Sequence, residues 1–243
     1  METDAGPRLE ATLELPMPDP APKPELLRSL GRLVRGLSAL FWGLPATLIV
    51  CVQTAKMDIL RPFGVIPPML VTGWLAFGLW QFGSFQKQER IWIHALDRAK
   101  WLALINFGLS PFIYFWSRLP NVMFYNVMVL SLAVSGLLFL AALNTVLCRL
   151  TAMLPDETLR EETRYFGGLN RYLVSGLLLL GVALYFLLQF PELLQFAGIY
   201  FQELGPLSPW LLVFLVLLPL AMTMALIWKI KEVILESVFG QGP

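Results

Sequence analysis

The sequence is short of nearly every side chain on which protein chemistry relies. Its 243 residues include one histidine and two cysteines. A lone imidazole, His94, cannot supply the paired axial ligands of a membrane bis-histidine haem, nor the ligand set of a usual zinc protease. No HExxH, Walker A or CxxC pattern occurs. Cys51 lies near the end of the first apolar run and Cys148 at the end of the fourth, which on a six-span topology puts them on opposite sides of the membrane, too far apart for a disulfide, and both read as small apolar residues. Charge is scarce too, at 14% of residues against about 25% in a soluble domain. The long apolar runs hold no ionisable side chain in their interiors, Lys229 standing at the edge of the last one. Buried carboxylates mark proton and ion pathways through membranes, so a proton-coupled pump of that kind is disfavoured. No metal or other cofactor is expected, and nucleic acid is not an expected partner.

What the sequence has in quantity is grease. Hydrophobic residues make up 57% of it, and the mean hydropathy is +0.66. They are gathered into six runs, 37–54, 67–85, 101–116, 122–148, 172–190 and 209–230. Crossing a bilayer takes about 20 mostly apolar residues, within a range of roughly 17–25. The first and third runs are short and contain Pro45 and Pro111, so either could instead be re-entrant. Only helices and closed barrels satisfy the backbone in lipid, and these runs lack the alternation of barrel strands. The predicted fold class is therefore all-α: a polytopic membrane protein with six transmembrane helices, which the repeat described below would arrange as tandem helical hairpins.

Threading the chain six times puts 15 of its 18 lysines and arginines on one side, and leaves only Lys56, Arg61 and Arg118 on the other. Basic residues favour the cytoplasmic face. Both termini are thus expected in the cytoplasm, and the expected location is a bacterial cytoplasmic (inner) membrane. Residues 1–24, rich in proline and acidic side chains, read as a disordered cytoplasmic tail rather than a signal peptide. Residues 25–36 place Leu26, Leu27, Leu30, Leu33 and Val34 on one helical face and Arg28, Arg32 and Arg35 on the other. That pattern suits an amphipathic helix in the headgroup layer. Residues 37–232 form the six-span bundle, 233–243 a cytoplasmic C-terminal tail, and the outer segment 191–206 is expected to lie along the membrane surface.

A weak internal repeat accompanies these runs. A shift of 63 residues superposes Thr72-Gly73 on Ser135-Gly136 and Gln81 on Asn144, and a shift of 71 superposes Tyr114-Phe115 on Tyr185-Phe186. Parallel repeats occur in some transporters, although repetition alone implies no activity.

The polar stretch "LPDETLREETRYFGGLNRYL" (154–173) then reads as connecting structure. Pro155 suits a first helical turn, Asp156 and Glu157 favour the positive helix end, and Asp156–Arg160 and Glu161–Arg164 have the spacing of helical ion pairs. Gly167-Gly168 would end this short helix in a turn before the fifth run. Candidate sites follow from what remains. Gln81, Asn144 and Asn106 are amides inside apolar runs and would line a polar path, unless they simply hydrogen-bond neighbouring helices. On the cytoplasmic face, His94 could titrate near neutral pH, and Glu157 and Glu161 share a helical face that could offer oxygen ligands. The expected function class is non-enzymatic: an accessory, scaffold or assembly subunit whose partners are the lipid bilayer and other membrane proteins or further copies of itself. The alternative is a transporter of small solutes or lipid.

Overall fold

The computed structural model describes residues 24–56, 58–83, 85, 89–153, 157–189 and 207–239. Its elements are α1 (Pro24–Lys56), a 3-10 segment (Asp58–Phe63), α2 (Ile66–Phe82), α3 (Arg90–Leu109), α4 (Pro111–Arg118), α5 (Met123–Ala152), α6 (Glu157–Gln189) and α7 (Leu207–Phe239). The described residues contain no strand, and the chain is an all-helical integral membrane protein. Four stretches, Arg28–Lys56, Met123–Ala152, Arg160–Ala183 and Val213–Glu236, are long and apolar enough to cross a bilayer. The other two expected spans correspond to α2, which has 17 residues and no charge, and to the end of α3 continued by α4. The proposed tail 1–24 and the outer segment 191–206 lie outside the described residues, apart from Pro24.

The helix α1 joins the amphipathic segment to the first span. It is one unbroken helix of 33 residues, about 50 Å at 1.5 Å per residue, and segment 25–36 is its beginning. The reason lies in the register. Leu33, Leu37, Leu40 and Leu44 follow one another at helical spacing, and all four are buried. The stripe passes from the basic segment into the apolar run without a break, while Arg32 and Arg35 stay exposed. A turn through Gly64, whose φ of 61° is open chiefly to glycine, leads into α2, with Pro67 and Pro68 where a first helical turn tolerates them.

The third run is interrupted as its proline predicts, and the structure shows how the interruption is tolerated. Pro111 has no N–H, so the carbonyl of Phe107 loses its helical donor. The hydroxyl of Ser110 donates to that carbonyl at 2.8 Å. Ser110 keeps a helical backbone (φ −58°, ψ −35°), so α4 follows α3 after a single residue. Beyond it, Trp116 Nε1 donates to Asn126 Oδ1 at 2.5 Å, and Asn126 Nδ2 donates to the Pro120 carbonyl at 3.2 Å, closing the turn into α5.

Two expectations are corrected. Gly167-Gly168 does not end a helix: α6 runs through both glycines from Glu157 to Gln189. The glycine at 167 serves packing instead, since a Cβ there would overlap Cys148 Sγ on α5. Glycine costs a helix interior about 1 kcal/mol, but close approach of two spans favours small residues, and here contact decides. The C-terminal tail expected from residue 233 is also helical as far as Phe239, because Ile234 continues the buried stripe of Leu226, Ile227 and Ile230.

Candidate functional site

Among the described residues, two groups of buried polar side chains bond from helix to helix, and α5 takes part in both. The first group joins α2, α3 and α5. Thr72 Oγ1 donates to the Pro68 carbonyl at 2.7 Å and lies 3.3 Å from Ser110 Oγ. Ser135 Oγ lies 2.5 Å from Asn106 Oδ1, its donor contact across to α3. Thr72 and Ser135 are the residues that the 63-residue shift superposes, and each reaches the C-terminal end of α3 from its own side.

The second group joins α5, α6 and α7 and holds Asn144, Asn170 and Thr223, all buried. Ser135 and Asn144 are nine residues apart on α5, about 13 Å along the axis. Asn144 Nδ2 donates to the Leu140 carbonyl at 2.9 Å and to Thr223 Oγ1 at 3.1 Å. Asn170 Nδ2 donates to the Pro219 carbonyl at 3.2 Å and to the same Thr223 Oγ1 at 2.9 Å. Thr223 Oγ1 in turn donates to the Pro219 carbonyl at 2.7 Å. A hydroxyl has one hydrogen and two lone pairs, and a carboxamide nitrogen has two hydrogens. Every hydrogen of the three side chains is therefore in use, and so are both lone pairs of the hydroxyl. The orientation of each amide follows from its partners, because reversing either would press its oxygen against a backbone carbonyl oxygen. Two acceptors remain without a protein donor, Asn144 Oδ1 and Asn170 Oδ1.

The sequence candidates separate on this framework. Asn106 and Asn144 belong to different groups. Gln81 is half-buried at the end of α2, where it lines a groove with Arg32, Phe77 and Trp80. Asn170 and Thr163 escaped the sequence reading. Asn170 stands in the polar stretch before the fifth run, just after the glycine pair that reads as a turn, so it looked solvated, and the sequence carried no signal for its burial. Thr163 is fully buried, and its Oγ1 likewise has no protein partner. His94, Glu157 and Glu161 are all exposed. The acidic residue of that stretch with an ion-pair partner on another helix is Glu162, which bridges Lys229 of α7. Both side chains are about half exposed, and such pairs contribute about 0–1 kcal/mol. Lys229→Met should accordingly lower the unfolding free energy by no more than about 1 kcal/mol; a larger loss would make the bridge structural. No group of three or more His, Cys, Asp or Glu side chains among the described residues is placed to hold a metal ion.

On the surface, the most distinctive feature is aromatic. Trp74, Phe77 and Trp80 of α2, with Leu70 before them and Trp42 of α1 beside them, are each more than half exposed. Trp74 stands at the midpoint of α2, and its indole N–H donates to the Ala39 carbonyl of α1 at 3.2 Å. That bond puts the neighbouring Trp42 at a similar level. Comparison with protein families, with curated proteins and with solved structures finds no match to this chain.

Proposed function

We infer that this protein is a non-enzymatic subunit that packs laterally, through the α1–α2 face, against other membrane proteins or a further copy of itself. The aromatic ridge carries the reading. Tryptophan in membrane proteins collects at the two water interfaces, and lipid tails offer an indole at mid-span no partner that a leucine would not equally find. Exposed tryptophan and phenylalanine are, by contrast, the side chains enriched where proteins meet. Buried polar groups bonded from helix to helix suit a rigid packing unit. The lysine and arginine split supports a bacterial inner membrane with both termini cytoplasmic, and a reporter fused after Pro243 that is active only outside the cytoplasm would refute that orientation.

The ridge can be tested with apolar replacements that leave the lipid-facing character intact. Extraction in mild detergent should yield the wild-type chain with a stoichiometric companion or as a dimer. The double variant Trp42→Leu, Phe77→Leu should be monomeric with an unchanged thermal midpoint. A wild-type chain that is monomeric and alone across the detergents tried would sink the reading. The alternative, transport of a small solute or lipid, draws its support from the two amide oxygens that no protein group satisfies.

A further inference from the structure

We propose that Asn144 and Asn170 form a buried site for a monovalent cation of the sodium class, framed by Thr223 and the Pro219 carbonyl. Three observations converge on it. The first is the accounting above: all donors of the cluster are engaged, and what it presents is oxygen alone. An anion finds only acceptors there and is repelled. A cation finds the oxygen ligands that hard ions take.

The second is proximity. Both amide nitrogens bond the same hydroxyl, at 3.1 and 2.9 Å, so they lie within about 6 Å of each other, and each carries its oxygen on the same planar group. Five buried side-chain polar atoms among the described residues lack a protein partner, and two of them are these oxygens. The third observation is the proline. Pro219 has no N–H to give to the carbonyl of Leu215, so the wall of α7 that holds Thr223 has a further backbone oxygen without its helical donor.

The residues also select among occupants. A bridging water could give its two hydrogens to the two amide oxygens, but its own lone pairs would find no free donor on Asn144, Asn170 or Thr223, whereas buried waters typically make about three hydrogen bonds. A divalent ion would bring two charges to a cluster with no carboxylate, and uncompensated charge in a low-dielectric interior is costly. A small monovalent ion asks for no hydrogen-bond donor and brings half the charge of a divalent one to these neutral oxygens. The ion pair of Glu162 and Lys229 stands one residue from Thr163 on α6 and six from Thr223 on α7, so the open end of this seam is charged.

The experiment uses the full chain purified in detergent. Its thermal midpoint is followed in sodium, lithium, potassium and choline chlorides at one ionic strength, alongside saturable binding of radioactive sodium. Binding to the folded state alone raises stability with the logarithm of ion concentration, so the midpoint should climb with sodium relative to choline. Asn144→Leu should abolish both the climb and the saturable binding. Asn170→Asp keeps the side chain's size and adds a charge beside the ion, and should tighten binding by roughly tenfold or more; it also guards against a failure of the leucine variant to fold. Equal midpoints in all four salts, with no saturable sodium binding, would overturn the proposal and leave the oxygens to water. A sodium effect that survives in Asn144→Leu would place the ion elsewhere and overturn it equally. Neither result bears on the aromatic ridge, whose test is oligomeric.

Discussion

Gly36→Ala should be among the most damaging single-methyl changes this chain can carry, with a loss of about 1–3 kcal/mol and room for more. A Cβ built on Gly36 comes to 2.7 Å from the Gly78 carbonyl oxygen and to 2.7 Å from Cε1 of Phe82. The carbonyl belongs to the backbone of α2 and moves only if the helix moves. Phe82 is fully buried and stacks against Trp92 at 6.4 Å, so its ring has nowhere to swing. Both relaxations open the seam on which α1 and α2 lie, and inside a membrane that seam depends on van der Waals contact, because lipid tails are as apolar as leucine. Gly31 provides the control. It lies five residues earlier in α1, nothing stands within 4 Å of its would-be Cβ, and alanine is better than glycine by up to about 1 kcal/mol in a helix. Gly31→Ala should therefore raise the thermal midpoint while Gly36→Ala lowers it. Two substitutions of equal sign and size would mean that α1 and α2 do not pack as described.

The contrast between these glycines shows what the sequence could and could not announce. Length and polarity were enough for an all-helical membrane chain, because a run of twenty apolar residues has few other options. Proline was ambiguous: Pro111 separates α3 from α4, while Pro45 and Pro219 sit inside unbroken helices. Contact between helices was beyond reach. Gly167-Gly168 has the appearance of a helix stop, yet α6 runs through it, and what makes residue 167 a glycine is the close approach of Cys148 on α5. Asn170 looked like part of a solvated connection, since only the continuity of α6 carries it into the core. The paired amides of the second group stand 26 residues apart in sequence, on two helices, and their shared partner comes from a third helix. No periodicity within one segment encodes that meeting. Gln81 and Asn144, matched by the repeat, are separated for the same reason: a shift of register compares positions along two helices and says nothing about which neighbours each one faces.

Thr223→Val is the second substitution with a large expected effect, and its value lies in the company it keeps. Valine matches threonine in shape but removes the hydroxyl oxygen that accepts from both Asn144 and Asn170. One hydrogen on each amide is then left in a dry interior. An unmet buried donor costs about 1–3 kcal/mol, although hydrogen bonds between membrane helices average nearer 0.6 kcal/mol. The expected loss is roughly 1–3 kcal/mol for the pair. Asn144→Leu should cost less, since Thr223 keeps its bond from Asn170 and its own donation to the Pro219 carbonyl. The decisive variant combines Asn144→Leu, Asn170→Leu and Thr223→Val. Replacing all partners of a polar cluster with apolar groups of similar size can be close to neutral, and it also removes the two oxygens that no protein group satisfies. The triple variant should thus be more stable than Thr223→Val alone, and well short of the sum of its single losses. Unfolding measured for the three singles and the triple gives the coupling directly. If the losses simply add, the three side chains act independently, and the description of Thr223 as their shared acceptor fails.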